Sequence, residues 1–330
     1  MEREERTDYW GDVEGYYEKQ AEVALELVEA ALEAHPPTLV ETRERRMAFV
    51  LLDTILHEPS AYERSAVRLF IRRAAEAVAR GLATTSVAEG ALIWKVYDAA
   101  FVVRTSSVTI GFDLSRATYL PHQAVPDEVM ASIVDGCDVL LVSHEHEDHA
   151  DAWVAARFAA QRKTVLAPSS VWTSGVLADA VVHPSRDGGR TEHLVSAAEG
   201  GELRIAVFPG HQGEDIENNV YLATTAEGLS FVHTGDQSRA ADFSWIDTIR
   251  QHARVDVIFP NCWTPDPDRL IEGVRPRLVI PAHENELGHT VDHREAYWLS
   301  ERRMADTGAP ALRMSWGEAF HYVPDPPTRE

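Results

Sequence analysis

Residues 138–149 read Asp-Val-Leu-Leu-Val-Ser-His-Glu-His-Glu-Asp-His. An apolar run of strand length ends at Ser143, and four ligand-type side chains follow at His144, His146, Asp148 and His149. Imidazole nitrogen and carboxylate oxygen are good ligands for Zn²⁺, Mn²⁺ or Fe. In an extended backbone alternate residues point the same way, so His144 and His146 share a side. Asp148 and His149 follow where the chain turns toward a helix, so they can face a second ion. A lone histidine is ordinarily structural or solvated. Four such groups packed at a strand end without a metal would carry a desolvation cost that nothing offsets.

Around this stretch the chain has strand periodicity. Candidate strands cover 91–97, 101–104, 107–112, 138–143, 164–167, 203–208, 219–224, 229–233, 255–260, 277–281 and 318–323. Helical stretches fall near 126–135, 150–161, 242–252 and 292–305, and 184–190 reads as a surface loop. Strands interleaved with helices point to a layered α/β domain over 85–330. Residues 1–84 read instead as a three-helix segment. Its first helix, 13–34, carries apolar positions at Tyr17, Val23, Leu25, Leu27, Val28, Ala31 and Leu32, and Pro36 and Pro37 stop it. Thr38 with Glu41 and Ser60 with Glu63 read as capping boxes for two more helices. These carry Met47, Val50, Leu51 and Ile55, then Val67, Phe70, Ile71, Ala74 and Val78, with Gly81 as a C-cap.

Composition narrows the function classes. Hydrophobic residues make up 45% of the 330, enough for a large core without a structural metal, so any metal is read as functional. The net charge of −22, with no basic run, argues against nucleic acid and against an anionic membrane surface as partner. Two cysteines, Cys137 and Cys262, make no disulfide framework. Residues 1–6 read Met-Glu-Arg-Glu-Glu-Arg, unlike a signal peptide, and the apolar runs are too short for a membrane helix. The expected location is the cytoplasm and the expected partner a small-molecule substrate, with a homo-oligomer left open.

The His144–His149 run resembles the H-x-H-x-D-H signature of the metallo-β-lactamase superfamily. Other landmarks of that superfamily have counterparts in order: Asp113 in Thr-Ile-Gly-Phe-Asp, His211 in Phe-Pro-Gly-His-Gln-Gly, Asp236 in His-Thr-Gly-Asp, and His283 in Pro-Ala-His-Glu. The resemblance covers about residues 91–323. It implies an αββα sandwich, preceded here by the helical segment, with two divalent ions at one edge. Zinc is the first expectation, with manganese or iron as alternatives. His144, His146 and His211 are implied to hold one ion. Asp148, His149 and His283 are implied to hold the other, Asp236 to bridge them, and Asp113 to orient the site from behind. Ions about 3.5–4 Å apart can share a hydroxide that attacks a carbonyl or phosphoryl centre, with Asp148 relaying a proton to the leaving group.

Departures from known branches shape the expected reaction. The short span from Asp236 to His283 leaves no room for the domain that nucleic-acid-processing members insert there. His146 stands where the flavodiiron subgroup usually has Glu. Asp236 stands where one class of true β-lactamases has Cys. Asp151 is similar to a residue of lactonases that open sugar-phosphate lactones. The expected reaction is hydrolysis of a small-molecule ester or lactone, ahead of an amide or phosphodiester. A diiron oxidoreductase or oxygenase is the alternative, and a metal-binding protein without catalysis ranks third. Glu284, His289 and Asn219 are candidate substrate contacts. Cys262 and Trp263 are candidates for the rim.

Overall fold

The structure is a computed structural model describing residues 11–197 and 200–324; the reading of residues 1–6 as unlike a signal peptide falls outside them. Three helices come first: α1 (Val13–Ala34), α2 (Arg43–Leu56) and α3 (Ser65–Thr84). Then follow β1 (Ala91–Lys95), β2 (Phe101–Arg104), β3 (Thr109–Phe112), α4 (Asp127–Asp135), β4 (Val139–Leu141), α5 (Ala152–Ala160) and β5 (Thr164–Leu166). The second half has β6 (Thr191–Ser196), β7 (Glu202–Gln212), β8 (Ile216–Thr225), β9 (Ser230–His233), α6 (Phe243–Ile246) and β10 (Val257–Phe259). It ends with α7 (Pro267–Val274), β11 (Leu278–Val279), α8 (Tyr297–Ala305) and β12 (Ala319–Tyr322).

The strands form two sheets, ordered β12-β1-β2-β3-β4-β5 and β11-β10-β9-β8-β7-β6. Their inner faces meet in an apolar layer that includes Phe101, Phe112, Leu141, Tyr221, Phe231 and Phe259. Helices α1 to α5 pack on the outer face of the first sheet. Helices α6 and α7, with Met304 of α8, pack on the outer face of the second. This is the expected αββα layering. Each large buried side chain contributes roughly 1.5–3 kcal/mol, so the core needs no covalent staple, and Cys137 and Cys262 are buried and free.

Local details differ from the sequence reading. In α1 the buried stripe is Ala21, Ala24, Leu25, Val28 and Leu32, while Tyr17, Val23 and Leu27 face solvent. In α2 Ala48, Phe49, Leu52 and Ile55 face inward, and Met47 and Val50 do not. Counting apolar residues rather than following one face mixed the two sides of these helices. The cap of α2 is Thr42, whose hydroxyl accepts from Arg45 N at 3.2 Å, rather than Thr38. Gly81 lies inside α3, not after it, because a side chain there would collide with the Trp94 ring. The 242–252 stretch is α6 flanked by single 3-10 turns instead of one helix. Strand β6 and helix α7 were not expected. Asp266 before Pro267 is nevertheless a legible start for α7, since the Asp266 carboxylate accepts from Arg269 N.

The N-terminal helices share a core with the sandwich and also anchor one of its loops. The Asp53 carboxylate on α2 accepts from Asn285 Nδ2 (2.9 Å), Tyr297 N (3.0 Å) and Trp298 N (3.3 Å). Arg294 donates to the carbonyls of Leu56 and Leu287. The loop after β11, which carries His283, is thereby tied to α2. No helix among the described residues is long and apolar enough to cross a membrane.

Removing Asp53 leaves buried N–H donors without partners. Asp53→Ala is expected to lower stability in urea unfolding by about 2–4 kcal/mol, with Asp53→Asn recovering part of the loss. A change within about 0.5 kcal/mol, the range of an ordinary surface substitution, would show that the anchor is not needed.

Candidate metal centre

The ends of strands bring the expected ligands into one place. Asp113 follows β3, residues 144–149 follow β4, Asp236 follows β9, and His283 follows β11. Two groups of potential ligand atoms form, each mutually within 4.8 Å: His144, His146 and Asp236, and Asp98, Asp148, His149 and His283. Asp236 lies between them. Its carboxylate is 3.6 Å from His144 Nε2, 3.6 Å from His149 Nε2 and 3.5 Å from His283 Nε2. Asp148 Oδ2 is 3.0 Å from His149 Nε2 and 3.1 Å from His283 Nε2.

Each inward nitrogen is aimed by a contact on the other side of its ring. Asp113 Oδ2 lies 2.7 Å from His149 Nδ1, and Ser143 Oγ lies 3.0 Å from His144 Nδ1. Asp98 Oδ1 lies 3.2 Å from His283 Nδ1. Asp236 accepts from Asn261 Nδ2 (2.5 Å) and Gln212 Nε2 (3.0 Å), and its own N–H donates to Asn218 Oδ1 (3.0 Å). Gly235, at φ +51°, lets that turn pass the 143 position, since a Cβ there would stand 2.3 Å from Ser143 Cβ. Asp98, Asp113 and His283 also have positive φ, 53°, 48° and 71°. Non-glycine residues seldom adopt this region, and such backbones cluster where a site is over-determined by its surroundings.

The electrostatics belong to a site built for positive charge. Burial pushes the Asp236 carboxyl up, but the His283, His149 and His144 charges outweigh it and hold it at about 2. Asp148 is held well below the usual range, its burial overcome by His149 and His283. Burial opposes the charged forms of His149 and His283. For His149 the carboxylates Asp148, Asp236 and Asp113 win, for His283 Asp98, Asp236 and Asp148 win, and both are driven well above the usual imidazole value. His144 goes the other way, down to about 3, through burial and then repulsion from His149. Protons thus occupy inward nitrogens that a cation can take. The buried Nε2 of His144 has no hydrogen-bond partner, an arrangement that favours a metal ion on the open lone pair.

Other expected residues sit elsewhere. His211 belongs to neither ligand group: Asp242 Oδ2 lies 3.1 Å from its Nδ1, and the Arg186 guanidinium lies 3.3 Å from its Nε2. Glu284 does not line the cavity described below. It is buried in an ion pair with Lys95 and accepts from Ser300 Oγ, so it has nothing to offer a substrate. Asn219 is likewise engaged, donating to the Tyr221 hydroxyl and accepting from Arg186. Asp151 caps α5 and pairs with Arg116, which accounts for it without any contact to the centre. Trp263 packs on the His283 and His289 rings, and Cys262 Sγ donates to the His283 carbonyl. His289 does line the cavity, as do His146 and Asp148. Asp98 was missed, because one aspartate in a hairpin turn is ordinary. Only the pairing of β1 with β2 aims it at His283. Gln212 and Asn261 were missed for the same reason, as polar residues beside unrelated strand ends.

Comparison with known proteins agrees with this geometry. A family model described as "Beta-lactamase superfamily domain" matches residues 92–283. Among solved structures, the metallo hydrolase Igni18 from the archaeon Ignicoccus hospitalis is 18% identical with a TM-score of 0.52, covering 70% of this chain and 99% of its own. CmlA, a diiron β-hydroxylase from Streptomyces venezuelae, is 16% identical with a TM-score of 0.52, covering 71% of this chain but 54% of its own. An isothiocyanate hydrolase from Delia radicum gut bacteria is 11% identical with a TM-score of 0.50, covering 70% and 99%. At these identities the likeness is one of fold. The sequence matches no curated protein.

Because the carboxylates around His149 and His283 favour their protonated forms, zinc uptake at pH 7 is expected to release protons. Calorimetric enthalpies measured in buffers of different ionisation enthalpy give the number. Zinc uptake without proton release would contradict the arrangement.

Proposed function

The chain belongs to the β-lactamase superfamily of metal-dependent hydrolases, and we propose that it is a dinuclear enzyme cleaving a small-molecule ester or lactone. The observation that carries this reading is the pair of ligand groups around Asp236, with the buried Nε2 of His144 unpartnered. His144, His146 and Asp236 would hold one ion, and His211, with Asp242 and Arg186 at its ring nitrogens, lies outside that set. Asp148, His149 and His283 would hold the other, with Asp236 shared. When bound, such ions supply Lewis acidity and a water whose pKa is lowered toward about 7.

The remaining chemistry falls to the chain. Asp113 and Asp98 fix the rings of His149 and His283, which preorganises the centre. Asp148 lines the cavity and Asp236 does not, so Asp148 is the carboxylate that can carry a proton to the leaving oxygen. The cavity encloses about 570 Å³, the size of a small-molecule site. Zinc suits this nitrogen and oxygen donor set. The two buried free thiols suit a reducing cytoplasm. The same donors also suit iron, which keeps an oxygen-activating diiron enzyme as the second reading.

The two readings separate in one assay. The zinc-loaded protein is expected to hydrolyse members of an ester and lactone panel equally in air and under argon. Asp148→Asn is expected to lower kcat by about 10²–10⁴. Turnover seen only with the iron-loaded protein and oxygen would replace hydrolysis with the oxidative reading.

A further inference from the structure

We propose that the cavity at the metal centre selects a cationic substrate, an ester or related acyl compound bearing an ammonium group a few bonds from the scissile carbonyl. This rests on the hydrolase reading and names its substrate class. At one side of the cavity lie His146 and Asp148 of the candidate metal centre, whose buried neighbour His144 has an unpartnered Nε2. The wall adds three further carboxylates, Glu145, Glu147 and Glu286, and two aromatic side chains, Tyr119 and Trp172. Lysine and arginine are absent from the lining residues.

The charge balance decides the sign. Two divalent ions would meet Asp113, Asp148 and Asp236, whose carboxyls stay below the usual value, so most of the ions' charge would be offset without the wall glutamates. The wall glutamates add to these carboxylates, Glu145 and Glu147 from the exposed side and Glu286 from a buried position near Arg294. Glu286 is 2% exposed, and its carboxylate accepts from neutral donors: the Tyr119 hydroxyl (2.5 Å), Gly288 N (2.8 Å) and His289 N (2.7 Å). The nearby arginines are committed elsewhere. Arg294 donates to the carbonyls of Leu56, Leu287 and His289. Arg186 is held by Gly210 O and Asn219 Oδ1 and does not line the cavity. A phosphate or carboxylate on the substrate therefore finds no cation in the wall. An ammonium group finds glutamates and two aromatic side chains, the residue types that recognise quaternary ammonium ions. The net charge of −22 steers the same ligands inward.

Isosteric esters of one acid test the proposal on the zinc-loaded protein. The alcohols are choline, its neutral carbon analogue 3,3-dimethylbutan-1-ol, and an anionic 2-hydroxyethanesulfonate. The choline ester is expected to show a kcat/KM at least about tenfold above the neutral ester, with the anionic ester lowest. Glu147→Gln is expected to shrink the cationic-to-neutral ratio about threefold or more. Calorimetric binding of choline and of 3,3-dimethylbutan-1-ol gives an independent readout, with choline tighter by a similar factor. Equal binding of the two alcohols, or a neutral or anionic ester cleaved as fast as the cationic one, would overturn the proposal. If choline binds preferentially while no ester is cleaved, the ester-hydrolase reading fails and the cation preference stands.

Discussion

Asp113 is a carboxylate with no exposed surface, and the candidate metal centre is built on it. It accepts from Ser143 N and Ser143 Oγ, both at 2.6 Å, and faces His149 Nδ1 at 2.7 Å. A charge this deep persists only if donors and opposite charge surround it. Burial raises its carboxyl, and His149 and then His233 bring it below the usual value. The same contacts do structural work on both sides. They pin the start of the 144–149 run to the end of β3, and by taking Nδ1 of His149 they turn its Nε2 inward. The parallel pairing of β3 with β4 makes this reach geometrically natural.

The opposite half of the centre is held from farther away. His283 sits in a left-handed backbone conformation after β11, and Asn285, also left-handed, reaches back to Asp53 on α2. Lys95 on β1 meets Glu284 and donates to Pro281 O, so both residues flanking the 282–283 turn are tied to buried partners. Asp98, in the turn between β1 and β2, closes the far side of the His283 ring. The first sheet, the second sheet and the N-terminal helices therefore each fix part of the centre. A site held by rigid elements in this way keeps ligand geometry without the metal having to organise it.

Much of this was legible in the sequence, and the limits have physical causes. The strand-then-ligand run at 138–149 is local, so residue type and spacing alone point to a metal. Asp236 and His283 were readable because each follows its own apolar run. Glu284 and Asn219 look like site residues by proximity along the chain, but burial and their partners Lys95 and Tyr221 assign them to the framework. Asp98 and Asp53 are the converse case. Nothing near them in sequence marks them, because their meaning comes from tertiary contact with residues about 185 and 232 positions away. The buried faces of α1 and α2 were misjudged for a related reason. Both helices carry apolar residues on two sides, and only packing shows which side is covered.

The dinuclear centre proposed above requires a pair of metal ions on each chain. Elemental analysis of protein purified without chelator or added metal, then again after reconstitution, tests it most directly. About two ions of zinc, manganese or iron per chain are expected, and about one or fewer in Asp236→Ala, because that carboxylate lies between both ligand groups. No stoichiometric metal in either preparation, or two ions retained without Asp236, would contradict it.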